Sequence, residues 1–262
     1  MSAATQTNGA TSQFALTLID LLDRVQYRRV SVDEQFDPVY RLRYEAYRRE
    51  EFIPANSQQI TRDIYDEAPN CYCFGVYIDD KLVSSIRLHY TTSEQRTSPS
   101  LGIWPDVLGG ILDRGDTYLD PSRFTADRDA TLAFPALPYL TLRIGVMASK
   151  HFGASYCLSS VRPEHAPFYK RVFGSTQLAG EGRWGELAFP VCLYATYLPV
   201  TYSRIVERYP FFMSTPEERE SLFGAEPRPI RAIAPTARQA HRLQLVGERT
   251  YYGSAMSGDG AA

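Results

Sequence analysis

The chain has 262 residues, with 28 Lys plus Arg against 30 Asp plus Glu and a formal charge of −2. That length allows one large domain with tails, and the near-average composition (44% hydrophobic, 22% charged) excludes a disulfide-stapled miniprotein, a mostly disordered chain and a fibrous one. The charge balance offers no global footprint for nucleic acid, and no apolar stretch reaches the ~20 residues of a spanning helix, so neither a nucleic-acid partner nor a transmembrane segment is expected.

The N-terminal MSAATQTNGATSQ lacks a basic n-region, so residues 1–24 read as a disordered leader and short lead-in. Asp37-Pro38 supplies a cap and a first-turn proline for a helix over about 38–51, with Val39, Leu42 and Ala46 on one face. From Tyr72 the pattern becomes two β-rich runs joined at Asp79-Asp80, a hairpin. TYLDPSRF is a further strand, LPYLTLRIGVMASKHFG a helix ending at Gly153, SYCLSSV a strand and HAPFYKRVFG a short helix ending at Gly174. Two β-rich runs follow, near 175–181 and 186–198, then a short helix near 201–208 and a helix start at Ser214-Thr215-Pro216-Glu217. This succession describes one α/β domain, 25–224 with its helical extension, and a disordered tail over 225–262. Cys71, Cys73, Cys157 and Cys192 lack metal-ligand spacing and read as free thiols suited to a cytoplasmic location. No metal or cofactor is expected.

Residues 43–123 carry an unusual ionisable series: Arg43, Asp63, Asp66, Arg87, Asp120 and Arg123. Alternation puts Arg87 and His89 opposite Leu82, Ile86 and Leu88, toward a cleft or solvent. Pro121 has no N–H for a ladder, so its strand is at an edge, bulged or splayed. A splay opens a slot, and a bulge there brings Asp120 and Arg123 toward one pocket. Spacing alone favours a structural ion-pair network over a ligand site.

RLRYEAY with Arg43 and Tyr47, Asp63-Ile-Tyr-Asp66, VYIDDKLVSSIRL and LDPSRF resemble, in order and spacing, blocks of the acyl-homoserine-lactone synthases. SYCLSSVRPEHAPFYKRVFG and RYPFFMSTPEERESLFG resemble the related N-acyl amino acid synthases more closely. The resemblance implies a GNAT-like three-layer α/β/α fold with a mixed, splayed central sheet. It also implies an N-acyltransferase moving a long-chain fatty acyl group from an acyl-acyl carrier protein thioester to the α-amine of an amino acid. On that reading Asp120 and Arg123 are catalytic, Asp120 as the base. Arg43, Tyr47, Asp63, Asp66, Arg87 and His165 bind substrate, the amino acid carboxylate taking Arg43, Arg87 or Arg123. For His165 the plainer reading is packing near Tyr169.

The stretch TADRDATLAFP after the predicted slot has no glycine, whereas a Gly-rich turn there commonly holds the pyrophosphate of coenzyme A. Acyl carrier protein, bringing phosphopantetheine as part of the co-substrate, is thus the expected partner. Lys150, Lys170 and Arg171 are its candidate docking residues, with Arg143, His151, Arg162 and Arg183 as further positive charge. The acyl chain is expected between the sheet and the 136–152 helix, along Leu137, Leu140, Ile144 and Met147. Two alternatives stand. A lactone synthase using S-adenosylmethionine is opposed by Phe52-Ile53-Pro54 where those enzymes carry a tryptophan. A non-catalytic acyl-carrier or lipid-binding regulator is permitted by Asp120 where they carry glutamate.

Overall fold

The computed structural model of the chain describes residues 12–183 and 189–225. Local signals set most element boundaries. Asp37 accepts from the Val39 N–H and caps α2 (Pro38–Arg49), while Asp79 and Asp80, both at positive φ, form the two-residue turn between β2 (Cys71–Ile78) and β3 (Lys81–Thr91). Left-handed Gly153 and Gly174 end α6 (Leu137–Phe152) and α7 (Ala166–Phe173). Between these lie β4 (Tyr118–Ala126), α5 (Arg128–Ala133) and β5 (Tyr156–Val161). After α7 come β6 (Thr176–Arg183), β7 (Pro190–Tyr197), α8 (Leu198–Arg208) and α9 (Pro216–Phe223), the last capped by Thr215.

Five of the helices and strands were not expected, α5 among them. Helix α1 (Gln13–Leu21) and strand β1 (Val25–Val30) precede α2, and α3 (Pro99–Ile103) and α4 (Pro105–Asp113) lie between β3 and β4. Ala15, Leu18, Ile19 and Leu22 are buried in the larger core, so the domain includes residues 13–24, part of the 1–24 stretch expected as leader and lead-in. Residues 1–11 and the tail beyond 225 lie outside the described residues.

The seven strands run in the order β1-β2-β3-β4-β5-β7-β6. All neighbours are antiparallel except β4 and β5, which pair in parallel at only two positions, Tyr118–Tyr156 and Leu119–Cys157. Beyond them the two strands part, and Pro121 stands in β4 just past the last pair, where no ladder toward β5 needs its missing N–H. Helices cover both faces. Helices α1, α6 and α9 pack one face around Phe74, Ile86, Leu140, Ile144 and Phe211. On the other, α2 covers Val30 and Cys73, and α4 covers Tyr118, Leu158 and Leu193. This is the expected three-layer arrangement.

Bulges in β3 and β4 reset side-chain parity near the site. Between Ser84 and Leu82 the register shifts opposite Val76 and Tyr77, so Leu82 packs with Val39 and Tyr40 under α2, on the face opposite Ile86 and Leu88. The shared face predicted for those three residues is therefore wrong, because simple alternation does not survive the extra residue. The second bulge lies in β4 and shapes the site.

Candidate active site

Asp63 and Asp66 come together through local geometry before any long-range contact. They bracket a single 3-10 turn, Ile64–Glu67, as a reciprocal capping box: Asp63 accepts from the Tyr65 N–H at 3.0 Å, and Asp66 Oδ2 from the Asp63 N–H at 3.0 Å. Both carboxylates then face three arginines. Asp63 Oδ1 takes Arg87 Nη1 at 2.5 Å and Asp63 Oδ2 takes Arg123 Nη2 at 2.5 Å. Asp66 Oδ1 takes Arg43 Nη1 at 2.8 Å, and Asp66 Oδ2 lies 2.9 Å from Arg87 Nη1. Arg43 also donates to Cys73 Sγ at 3.0 Å, and Arg87 Nε to Ser122 Oγ at 3.1 Å.

Arg123 reaches this cluster because β4 bulges at Arg123 and Phe124, between the pairs Arg87–Ser122 and Ser85–Thr125, with Arg123 at φ 53°. A non-glycine residue in the left-handed region is a strained conformation that the surrounding ion pairs hold. The bulge thus lies two residues beyond Pro121, and it separates Arg123 from Asp120 instead of uniting them. Asp120 is fully buried on the other side of Pro121 and accepts from the Ser100 N–H at 2.8 Å and the Ser100 hydroxyl at 2.7 Å. Arg43 and Arg87 have no exposed surface, contrary to the predicted cleft or solvent position of Arg87. Of the three arginines weighed for a substrate carboxylate, Arg123 lines the cavity at the β4–β5 slot and Arg43 and Arg87 do not.

The electrostatics follow from burial and pairing. Burial raises Asp63, but Arg87 and Arg123 more than offset it and hold the carboxyl below its ordinary range; Arg43 and Arg87 do the same for Asp66. Burial, partly offset by Ser100, raises Asp120. Burial together with Arg87 lowers His89 to about 4, and its neutral ring donates from Nε2 to the Tyr65 carbonyl at 2.9 Å. Unfolded His89 protonates near its ordinary value of about 6.5, so between about 6.5 and 4 the unfolded state binds more protons and stability falls as pH falls. Asp63 and Asp66, lowered in the fold, contribute stability that is present above their ordinary values and lost below about 4. The expected result is a thermal midpoint whose acid dependence holds a His89 step and, below it, an Asp63–Asp66 step, with the raised Asp120 carboxyl opposing the first. The His89 step corresponds to about 3 kcal/mol. His151 and His165 are also lowered and contribute to the first step, so the check is midpoint against pH for His89→Gln beside the parent, which should flatten that step.

The slot between β4 and β5 opens into a cavity of about 540 Å³. Arg123, Tyr47, Phe52, Arg162 and His165 form one polar end. There the Arg123 guanidinium lies 5.4 Å from the Tyr47 ring centre, and Arg162 lies 5.5 Å from Phe52 and 5.6 Å from Phe189. Arg162 also donates to His165 Nε2 at 2.9 Å. The remainder is apolar, walled by Phe168, Phe173, Leu198 and Ile205 from α7 and α8. Helix α6 contributes Pro138, Leu142, Gly145, Val146 and Ser149. The predicted wall, Leu137, Leu140, Ile144 and Met147, is instead solid core on the adjacent stripe of the same helix. Because α6 is apolar nearly all round, its sequence does not distinguish the two faces.

A match to the family model described as N-acyl amino acid synthase FeeM spans residues 38–197, more than half of the chain. The chain belongs to the FeeM family of N-acyl amino acid synthases. It is accordingly an acyltransferase with a GNAT-like fold. The structure of FeeM, an N-acyl amino acid synthase from uncultured soil microbes, is 19% identical at a TM-score of 0.57, covering 71% of this chain and 97% of FeeM. A CoA-dependent acyl-homoserine lactone synthase, BjaI, solved with MTA, is 16% identical at a TM-score of 0.51, covering 82% and 99% of the respective chains. At these identities the likeness shows the fold. No curated protein matches the sequence.

Lys150, Lys170 and Arg171 are exposed, with Lys150 5.4 Å from the ring centre of cavity-lining Tyr202 and Lys170 5.1 Å from that of Tyr194. Arg143, counted above among the basic surface residues, is instead fully buried against Glu218. Sequence reasoning missed Ser100 and Ser160, which connect Asp120 to the cavity, and Phe52 and Phe189, which pair edge to face at 4.5 Å at its polar end. A Ser-Pro step at Ser98-Pro99 is the one signal for the helix start that carries Ser100; Ser98 indeed accepts from the Leu101 N–H.

Proposed function

We propose that this protein transfers a long-chain fatty acyl group from an acyl-acyl carrier protein thioester to the α-amine of an amino acid. The observation that carries the reading is the cavity at the β4–β5 splay, whose largely apolar interior joins an arginine-bearing polar end. The apolar interior suits an acyl chain, the slot a pantetheine thioester, and the guanidinium groups of Arg123 and Arg162 at the polar end the charge of the acceptor carboxylate. The buried Arg43, Arg87 and Asp66, with half-buried Asp63, then hold Arg123 in place without touching substrate.

A carrier protein as donor is supported by the start of α5. Asp127 caps that helix by accepting from the Ala130 N–H at 2.9 Å, and Asp129 lies in its first turn. Asp127 thus occupies an N–H that an anion site at this N-terminus would use for a pyrophosphate, the group that distinguishes coenzyme A from a carrier-bound pantetheine. Exposed Lys150, Lys170 and Arg171 offer an acidic carrier its docking charge. A cytoplasmic location fits the four free cysteines.

In the reaction the amine attacks the thioester carbonyl, an oxyanion forms, and the thiol leaves. Backbone groups on the slot edges of β4 and β5, past the last ladder pair, are the donors nearest to hand for the oxyanion. Gly145 faces open space in the cavity. Gly145→Leu is expected to lower kcat/KM for a palmitoyl donor at least tenfold and leave a butyryl donor nearly unaffected. The midpoint should not drop, since leucine favours a helix over glycine by about 1 kcal/mol. Rates across donor lengths check this.

The test of the function is incubation with palmitoyl-carrier protein, the twenty amino acids and S-adenosylmethionine, followed by mass spectrometry of the organic extract. An N-acyl amino acid supports the proposal and identifies the acceptor. A homoserine lactone with methylthioadenosine, or carrier binding without product from any chain length, overturns it.

A further inference from the structure

The buried carboxylate of Asp120 does not line the cavity, yet two hydroxyls connect it to one that does. Asp120 Oδ1 lies 2.7 Å from Ser100 Oγ, and Ser100 Oγ lies 2.7 Å from Ser160 Oγ. Ser160 is on the cavity wall in β5, three residues past the last pair with β4. Asp120 is 0% and Ser100 1% exposed, so bulk water does not interrupt the chain of contacts. An ionised carboxylate only accepts, which turns the single Ser100 proton toward Asp120. The Ser160 proton then turns toward Ser100 Oγ, and the free lone pairs of Ser160 face the cavity.

We infer that Asp120, Ser100 and Ser160 form a proton relay that deprotonates the acceptor nitrogen during acyl transfer. Ser160 is the catalytic residue that touches the amine, and Ser100 positions it and passes the proton inward. The inference rests on the acyl-transfer reading above. The acceptor ammonium first releases one proton to solvent. As the N–C bond forms, the nitrogen gives a second proton to Ser160, Ser160 gives its own to Ser100, and Ser100 gives its own to Asp120. As the C–S bond breaks, the same path in reverse delivers that proton to the thiolate. The sum is ammonium plus thioester giving amide, thiol and one proton.

The surroundings of Asp120 suit a group that both takes and returns a proton. The groups facing it are Arg87 and His89 on β3, Ser98 and Ser100 at α3, Tyr118 on its own strand and Cys157 on β5. Arg87 keeps its charge, His89 stays neutral down to about 4, Tyr118 is raised by burial, and Cys157 is pushed up to about 12. Asp120, raised by burial and held by the Ser100 N–H and hydroxyl, is the member of this set placed by geometry to take up and return the proton.

The experiment compares kcat against pH for the full-length protein and its Ser160→Ala, Ser160→Thr and Ser160→Val variants, with palmitoyl-carrier protein and the acceptor found above. Ser160→Ala should lower kcat about 100-fold with acceptor KM within about twofold, and flatten the acid limb of the profile. Thr and Val have the same shape, so a Thr variant within about tenfold of the parent beside a Val variant matching Ala assigns the loss to the hydroxyl even if Ala perturbs the fold. Ser100→Ala should reproduce the Ser160→Ala profile, with no further loss in the double variant. Parental kcat and acid limb in Ser160→Val overturn the relay alone, as does an acyl ester trapped on Ser160. Absence of acylated product from the parent overturns the acyl-transfer reading and the relay together.

Discussion

Arg143→Met is expected to destabilise the fold by about 3–5 kcal/mol, the largest stability loss of any single substitution considered for this chain. Arg143 projects from α6 with no exposed surface and makes a two-pronged pair with Glu218 on α9, Nη1 to Oε1 at 2.8 Å and Nη2 to Oε2 at 2.9 Å. It also donates to the carbonyls of Phe211 at 2.8 Å and Met213 at 2.7 Å, so one guanidinium ties α6 to the turn before α9 and to α9 itself. Methionine replaces the stem but leaves a buried carboxylate without its charge partner and two carbonyls without their donor. That residual charge, and not the lost attraction, dominates the cost. The double variant Arg143→Met/Glu218→Leu removes it and should recover most of the loss. Recovery stays incomplete because the Phe211 and Met213 carbonyls still lack a donor. Urea unfolding of the two single variants and the double measures the coupling. At about 2–4 °C per kcal/mol the single Arg variant should melt roughly 10 °C below the parent. A single variant within 1 kcal/mol of the parent would show that α9 does not depend on this tie.

Arg143 also shows where sequence reasoning reaches its limit. Hairpin, strand and helix ends were legible because their signals are local: Asp79-Asp80, Pro38 and the glycines at 153 and 174 each act within a few residues. The partner of Arg143 is 75 residues away, so among the other basic residues it read as surface charge. One signal could have corrected this: a lone arginine inside the apolar run LTLRIGVM is more often a buried ion than a docking charge.

The site divides the same way. Asp63, Asp66, Arg43, Arg87 and Arg123 were singled out as an ionisable series and do assemble, because residue type and order carry that information. Their exposure was not legible, since alternation along β3 separates two faces without saying which face a helix covers. Asp120 and Arg123 were expected in one pocket on the assumption of a bulge at Pro121. The bulge sits at Arg123 and Phe124, where no residue type announces it, and the two side chains diverge. The splay beside Pro121 was legible, because a missing N–H is a chemical fact of the sequence.

Asp120→Asn is expected to lower kcat by about 10²–10⁴ while the thermal midpoint stays within a few degrees of the parent. Asparagine has the shape of aspartate and satisfies the same neighbours: Oδ1 accepts from the Ser100 N–H, and Nδ2 donates to Ser100 Oγ. Neutralising Asp120 strands no buried ion, because Asp63 and Asp66 remain in place against Arg43, Arg87 and Arg123. It also relieves the burial that raises the carboxyl, so the fold loses little. The chemistry loses more. With Nδ2 donating to Ser100, the Ser100 proton must turn to Ser160 and the Ser160 proton to the cavity, which reverses every link between them. Ser160 then presents a donor where the attacking nitrogen needs an acceptor, and no carboxylate stands behind it to hold a proton. Acceptor KM should change little, since Asp120 is not on the cavity wall. Single-turnover rates beside thermal melts decide the matter. A fall in the midpoint matching the loss of rate would assign Asp120 to the scaffold, whereas lost turnover in an intact fold assigns it to the proton transfer that makes the amide.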